Sequence, residues 1–376
     1  MAGPERRRVL IAGGGTAGHT NPGIAVAEAL VRTGLAPTDI GFVGSTRGNE
    51  ATLVPAAGFS LDTLPGRGIP RKIGIAAVKS IAELLKGQLQ ARALLKRRNP
   101  EVVLCLGGFA AFAPSMAARS LGIPVVVTEQ NARASAVNRV VGRFAQACAL
   151  PFPPTDLPKG VLTGNPIRRA VSDALSDSSP ERRREARRQL GIIDDDLILV
   201  AVWAGSLGAA SVNSAVRDLA VRWADRTEVA IYHVVGRRNP EALQPPDGAS
   251  PERYRTVAYE DDMPSLLLAA DVALTRGGAS TVAELAVAGL PAAIVPLPSA
   301  PRQHQLANAR ELEKVGRAIV LDDAELDGPY LAARLDPLLE ADRRATMRAA
   351  IPDVDHGRAA DEVSRLVRAH LQDSTA

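Results

Sequence analysis

The sequence predicts an α/β protein of two doubly wound halves, and three observations carry that expectation. First, apolar strand-like runs pass into glycine turns and then into helical patterns at three places. They are Val9-Leu10-Ile11 before Gly13-Gly14-Gly15-Thr16-Ala17-Gly18-His19, Leu197 to Val202 before Gly205-Ser206-Leu207-Gly208, and Val272-Ala273-Leu274 before Gly277-Gly278-Ala279-Ser280-Thr281. Second, strand and helix patterns alternate on both sides of a proline-rich stretch, the signature of parallel sheets with right-handed crossovers. Third, 376 residues suit two domains, each with its own core. A strand that turns through glycines into a helix presents backbone N–H groups at the positive end of the helix dipole, which suits an anion. Each turn by itself serves tight β–α packing equally well. Three of them in two halves point to a nucleotide-like ligand held between two α/β domains.

In chain order the first half reads as strand 9–12, helix 22–33, strand 40–44, a long segment 45–70, helix 75–97, strand 102–106, helix 113–121, strand 124–128, helix 135–144, strand 146–150 and a short strand near 161. Pro151-Phe152-Pro153-Pro154 to Pro158 and Gly164-Asn165-Pro166 loosen the periodicity, so a hinge is expected at about 164–170, with domains of 1–166 and 167–376. The charged stretch Ser178 to Arg188 follows. Strands are then expected near 197–203, 229–235, 255–258, 272–275, 292–296 and 317–320, and a last helix, Gly357 to Leu371, has the position to return to the first domain.

Composition narrows the function. Apolar residues at 46% and charged residues at 23% fit a soluble globular chain. Aromatics at 3% leave too few rings for single-stranded nucleic-acid stacking, so no nucleic-acid partner is expected. The net charge of +4 suits an anionic ligand or membrane surface. Cys105 and Cys148 lie in apolar runs without a C-x-x-C motif and read as buried free thiols. Met1 to Arg8 and Val9 to Ala12 imitate a signal peptide, but the apolar run ends at the glycines, too short for export. No stretch approaches the roughly 18 apolar residues of a spanning helix, and a cytosolic or membrane-surface location is expected.

Gly13, Gly15 and Gly18 spell G-x-G-x-x-G, the pattern of a dinucleotide-binding unit. Such a unit needs an acid at the end of the second strand, and Ile40-Gly41-Phe42-Val43 runs into Gly44-Ser45-Thr46-Arg47 without one. With no P-loop motif either, no nicotinamide or other cofactor is expected. In the second half, the amides after Thr275-Arg276-Gly277-Gly278 suit a diphosphate. Glu284, one turn further in, can accept from two adjacent ribose hydroxyls or merely complement the helix end. The loop Pro298 to Ala309 gathers amide side chains and His304, groups that both donate and accept as sugar hydroxyls require.

The ordered set Gly13 to His19, Gly107-Gly108-Phe109, Glu129-Gln130-Asn131, Thr163-Gly164-Asn165-Pro166-Ile167-Arg168, Gly205 to Ala209, Asp261-Asp262-Met263 and Gly277 to Glu284 resembles the MurG family of GT-B glycosyltransferases. The resemblance runs from Val9 to about Val320. It implies two Rossmann-like domains facing across a cleft and inverting transfer of N-acetylglucosamine from its UDP donor to undecaprenyl-diphospho-muramoylpentapeptide, giving lipid II for peptidoglycan. The C-terminal domain would bind the donor: Glu284 the ribose, Ser206 and Ala279, Ser280 and Thr281 the diphosphate, Tyr259 to Met263 the uracil surroundings, His304 and Gln305 the sugar, and Arg168 the nucleotide. The N-terminal domain would face the membrane and take the lipid-linked acceptor, its diphosphate on the turn of Thr16, Ala17, Gly18 and His19, with Glu129 and Asn131 in the same cleft.

Such a reaction passes through an oxocarbenium-like state whose leaving-group charge helix amides and Arg168 can stabilise without a metal. His19 is the expected base or a diphosphate ligand, with Glu129 as the alternative base. His233, His356 and His370 read as structural or exposed. Thr128, Leu207, Ala204 and Phe112-Ala113-Pro114 depart from the family pattern, which leaves a paralogue with another lipophilic acceptor open. A UDP-N-acetylglucosamine 2-epimerase and a UDP-sugar-binding protein without turnover share the architecture. In helix 75–97 the stripe Val78, Ile81, Leu85 and Leu89, edged by Lys79 and Lys86 and preceded by Arg71 and Lys72, reads either as a core face or as a contact with anionic lipid at the cytoplasmic side of the membrane.

Overall fold

Four consecutive apolar residues with no solvent exposure form β1 (Val9–Ala12), at the centre of a sheet covered on both faces, where strands read as continuous rather than alternating apolar runs. The computed structural model describes residues 6–46, 48–64, 75–153, 155–192 and 194–372, with side chains described there except at Ala17 and 75–85. After β1 come α1 (Ala17–Arg32), β2 (Ile40–Ser45), α2 (Glu50–Ala56), β3 (Ser60–Leu64), α3 (Ile75–Arg98), β4 (Val102–Cys105), α4 (Phe109–Ser120), β5 (Val125–Thr128), α5 (Ala136–Val141), β6 (Ala147–Leu150) and β7 (Gly160–Leu162). The strands pair in parallel in the order β3-β2-β1-β4-β5-β6-β7, with Val9 opposite Ile40 on one side and Val102 on the other. The period-two alternation sends Val9 and Ile11 into one core layer with Ile24, Leu30 and Phe42, and Leu10 and Ala12 into the other with Ala91, Leu95 and Val127.

The first-half strands stand where the sequence places them, but helix starts and one segment differ. α1 begins at Ala17 rather than Pro22, because the amides of His19 and Thr20 both donate to the Thr16 carbonyl at 3.1 Å and start the helix directly at the glycine turn. α4 likewise starts straight after Gly108 and runs through Pro114. The long segment 45–70 holds α2 and β3. The helix has only 7 residues and contains Pro55, while the edge strand is half-exposed, so neither shows a strong period.

The second half builds α6 (Arg169–Ser176), α7 (Pro180–Gln189), β8 (Ile198–Trp203), α8 (Ala210–Arg222), β9 (Val229–Val234), β10 (Tyr254–Val257), α9 (Met263–Ala269), β11 (Val272–Thr275), α10 (Ala279–Ala288), β12 (Ala292–Ile294), α11 (His304–Lys314), β13 (Ala318–Val320), α12 (Gly328–Leu335) and α13 (Ala341–Ala349). Its sheet is also parallel, in the order β10-β9-β8-β11-β12-β13. The charged stretch is α7, anchored by Arg187, which is 2% exposed and donates to Asp271 at 2.7 Å and to the Asp195 carbonyl at 2.8 Å.

The chain divides into two compact units, Met1–Arg168 with Val354–Ala376, and Arg169–Asp353. The last helix, α14 (Ala359–Arg368), thus belongs with the first sheet, and the second unit stops at Asp353 rather than running to the chain end. Its Val363 and Val367 join the core layer of Val9 and Ile24, and Asp361 pairs with Arg32 of α1 at 2.5 Å. His356 fixes the entry to this helix: its Nδ1 accepts from the Asn165 amide at 2.9 Å, and its ring meets Phe152 edge-on at 5.2 Å. Burial pushes the imidazole down to about 4, against an unfolded value near 6.5. The unfolded chain therefore takes up this proton first as pH falls, and stability is lost progressively between 6.5 and 4. Urea unfolding at pH 7.5 and pH 5 should show the parent losing about 2 kcal/mol more than His356→Gln over that interval.

Candidate active site

In each sheet the strand order reverses once, between β1 and β4 and between β8 and β11, and loops leaving neighbouring strands there diverge to leave a crevice beyond the carboxyl ends. Glycine turns occupy all four positions: Gly13 to Gly18 after β1, Gly107-Gly108 after β4, Gly205 to Gly208 after β8, and Gly277-Gly278 after β11. The helices that follow, α1, α4, α8 and α10, start without a side-chain cap, whereas α5, α7, α9 and α12 are capped by Ser135, Ser179, Asp262 and Asp327.

In the second unit, Gly278 leaves the first-turn amides of Ala279, Ser280 and Thr281 without a side-chain acceptor, and the Ser280 hydroxyl is buried without a partner. Glu284 stands one turn further on, half-buried. Burial pushes its carboxyl up to about 7, and among the described residues no donor or cation offsets it. α11 is stitched to this turn. A Cβ on Gly277 would collide with the Gln305 carbonyl, and the buried Asn308 amide donates to the Gly277 carbonyl at 3.1 Å. Just before α11, Arg302 and Gln303 adopt left-handed backbone at φ 55° and 53°, a locally strained turn. His304 Nδ1 donates to the Pro301 carbonyl at 2.8 Å, which leaves Nε2 as an acceptor in the neutral ring, and Gln305 Oε1 accepts from the Leu297 amide at 3.0 Å.

Ser206 is exposed on the β8 turn, and its carbonyl accepts from the Arg237 amide. The Arg237 guanidinium lies 3.8 Å from the Tyr259 ring centre, and Met263 opens α9 half-buried. Beneath the turn runs a buried relay that the sequence did not reveal. His233 bonds Tyr254 at 2.9 Å and Asn213 at 3.1 Å, Asn213 donates to the Val235 carbonyl at 2.9 Å, and Asn239 to the Leu207 carbonyl at 2.9 Å. Burial pushes His233 down to about 3, so it is a neutral structural group. Arg276, also missed, ties the Val295 carbonyl at 3.1 Å, Ser211 at 3.0 Å and Asp323 at 2.6 Å. A cavity of about 370 Å³ lies by Pro298, Leu306 and Asp322, but Glu284 and the α10 start do not line it.

In the first unit the two glycine turns touch. A Cβ on Gly108 would stand 3.2 Å from the Gly14 carbonyl and 3.8 Å from the His19 ring. His19 Nδ1 and Thr16 Oγ1 lie 3.0 Å apart, and Ala17 and Gly18 are the first residues of α1. Glu129 is buried and saturated. One oxygen accepts from the amides of Gln130 and Asn131 at 3.0 Å and from Asn131 Nδ2 at 3.1 Å, the other from the Ser135 amide and Asn138 Nδ2 at 2.8 Å. Arg168 pairs with Glu28 of α1 at 3.0 Å, an acid on the first unit's own helix.

Residues 9–150 match the glycosyltransferase family 28 N-terminal domain and residues 199–363 its C-terminal domain. A protein of Cutibacterium acnes named UDP-N-acetylglucosamine–N-acetylmuramyl-(pentapeptide) pyrophosphoryl-undecaprenol N-acetylglucosamine transferase is 38% identical over 363 residues, covering 95% of each chain. A protein of the same name from Carboxydothermus hydrogenoformans is 37% identical, covering 89% of each. The chain belongs to the MurG family. The crystal structure of Acinetobacter baumannii MurG superposes on it with a TM-score of 0.75 at 26% identity, over 97% of this chain and 99% of that one. A UDP-N-acetylglucosamine 2-epimerase from Neisseria meningitidis reaches 0.64 at 14% identity, a likeness of fold alone.

Within this MurG-family chain the Glu129 cluster is the most densely bonded polar group of the first unit's candidate residues. Removing the carboxylate takes the acceptor from the Gln130, Asn131 and Ser135 amides and one of two from Asn138 Nδ2, which keeps the Thr128 carbonyl. Glu129→Ala should therefore lose about 3 kcal/mol of unfolding free energy by urea titration, and Glu129→Gln less, since it keeps one acceptor.

Proposed function

We propose that the protein transfers N-acetylglucosamine from UDP-N-acetylglucosamine to a lipid-linked muramoyl-pentapeptide diphosphate with inversion at the anomeric carbon. The observation that carries this reading is Glu284, without a partner among the described residues, beside the uncapped start of α10. The carboxylate accepts from the two ribose hydroxyls, and the amides of Ala279 to Thr281 with Ser206 hold the diphosphate. Tyr259 and Met263 border the base, and His304 and Gln305 meet the sugar. As the acceptor hydroxyl attacks C1, the bond from C1 to the UDP oxygen breaks and the departing charge settles on the helix amides. The hydroxyl proton passes to His19, whose pairing with Thr16 orients the ring. Asn131 borders the acceptor. Glu129, with five donors on its oxygens, serves by ordering its loop rather than as the base. Arg168, committed to Glu28, is assigned no contact with the nucleotide.

The acceptor's lipid and the chain's basic character support docking at an anionic membrane surface. Among the described residues no helix is long and apolar enough to cross a membrane. Leu89 of the α3 stripe is 70% exposed, and Lys86 beside it is exposed too, which favours a surface contact over a core face. Arg71 and Lys72, and the side chains of Val78, Lys79, Ile81 and Leu85, lie outside the described residues.

Radiolabelled UDP-N-acetylglucosamine with a lipid I analogue should yield the disaccharide lipid. N-Acetylmannosamine formed without acceptor would assign the epimerase instead, and binding without either product a non-catalytic receptor. The carboxyl of Glu284 must be ionised to accept both hydroxyls, so donor binding expels a proton below pH 7. Calorimetry should find UDP-N-acetylglucosamine bound about tenfold more weakly at pH 6 than at pH 8. That dependence should vanish in Glu284→Gln, and Glu284→Ala should lose roughly 1–3 kcal/mol of affinity at pH 8.

A further inference from the structure

The first glycine turn, unlike that before α10, already holds an anion of the chain's own. Glu50, the first residue of α2, is 1% exposed, and its carboxylate reaches back between two strand ends. One oxygen accepts from the Gly15 amide at 2.7 Å, and the other from the Ser45 amide at 2.7 Å and the Ser45 hydroxyl at 2.9 Å. Gly14, Gly44 and Gly48 line this carboxylate so closely that a Cβ on any of them would collide with it. Three glycines, one in the turn after β1, one near the end of β2 and one just past it, are thus shaped around one internal acid. Burial pushes the carboxyl up, but the donors outweigh it and hold it below the usual carboxylate range, so it is an anion at neutral pH.

We propose that Glu50 is a positioning residue for glycosyl transfer, whose carboxylate clamps Gly15 to Ser45 and thereby sets Thr16 and His19. The inference rests on the function proposed above for the direction of its kinetic effect, and on geometry for the rest. Thr16 follows the clamped Gly15 directly, its carbonyl starts α1, and its hydroxyl meets His19 Nδ1. A carboxylate is required rather than any polar group of that shape. An amide in its place would turn N–H atoms toward either the Gly15 or the Ser45 amide, donor against donor. The Gly15 amide, being taken, is also withdrawn from any incoming diphosphate, which must use other groups of the turn.

The test compares Glu50→Gln and Ser45→Ala with the parent full-length protein. Ser45→Ala removes only one of the three bonds. The chain has five histidines, and their ring C–H correlations can be read by NMR at one fixed pH, that of His19 assigned by its loss in His19→Gln. In Glu50→Gln the His19 correlation should shift or broaden while those of His233 and His356 stay in place. In Ser45→Ala it should move in the same direction by less. With the acceptor analogue, kcat should fall about 10- to 100-fold in Glu50→Gln, with KM and calorimetric affinity for UDP-N-acetylglucosamine within about twofold of the parent. An unmoved His19 correlation in a folded Glu50→Gln protein would overturn the inference. Should that variant fail to fold, an unmoved His19 correlation in Ser45→Ala would do so. An inactive parent would instead overturn the proposed function, and the His19 spectrum would still decide the role of Glu50.

Discussion

A parallel sheet puts the carboxyl ends of all its strands on one edge, and at the place where strand order reverses, neighbouring loops must part. Everything of chemical interest in this chain follows from how those places are filled. At β1 and β4, and again at β8 and β11, the backbone turns through glycine and enters a helix whose first amides no side chain covers. The two units then use the same junction differently. At α10 no side chain caps the amides, and a carboxylate stands nearby without a partner among the described residues. At β1 the Gly15 amide is closed by Glu50, and the polar groups that remain are those of Thr16 and His19. One junction is thus left open, while the other is braced from within.

Bracing recurs beneath the open junction as well. The relay of His233, Tyr254 and Asn213 supports the Val235 carbonyl under the β8 turn, Asn308 holds Gly277, and Arg276 draws the ends of β11 and β12 to Ser211 and Asp323. Buried and bonded, they fix the loops that leave β8, β11 and β12, since giving up those bonds at that depth would be costly in every alternative arrangement.

How much of this the amino-acid order discloses depends on the range of the interactions. Strands such as Val9–Ala12 and Val102–Cys105 are legible because both their faces are buried and every residue is apolar. The turns are legible because glycine takes the positive φ of Gly107 and Gly108 without steric cost. Helix starts are misplaced where proline lies inside the first turns, at Pro22 and Pro114, since proline favours a helix start and here sits beyond it. The place of Glu284, one turn past the glycines on α10, is legible from its spacing. The saturation of Glu129 is not, because part of it comes from Ser135 and Asn138 once the loop has folded back. The commitment of Arg168 to Glu28 and the return of Glu50 to Gly15 are hidden likewise, each joining residues far apart in the chain.

The return of the chain to its first sheet has a consequence for biosynthesis. The face of α1 that Val363 and Val367 help to cover, and the Glu101 carboxylate that receives the Gln372 amide, wait for residues made only after the whole of the second unit. On the ribosome, therefore, the second unit has all its residues before the first does, and the half that begins the chain is the last to close. A nascent first unit carries an uncovered apolar strip throughout that interval, the state in which chaperone capture and mispairing compete with folding.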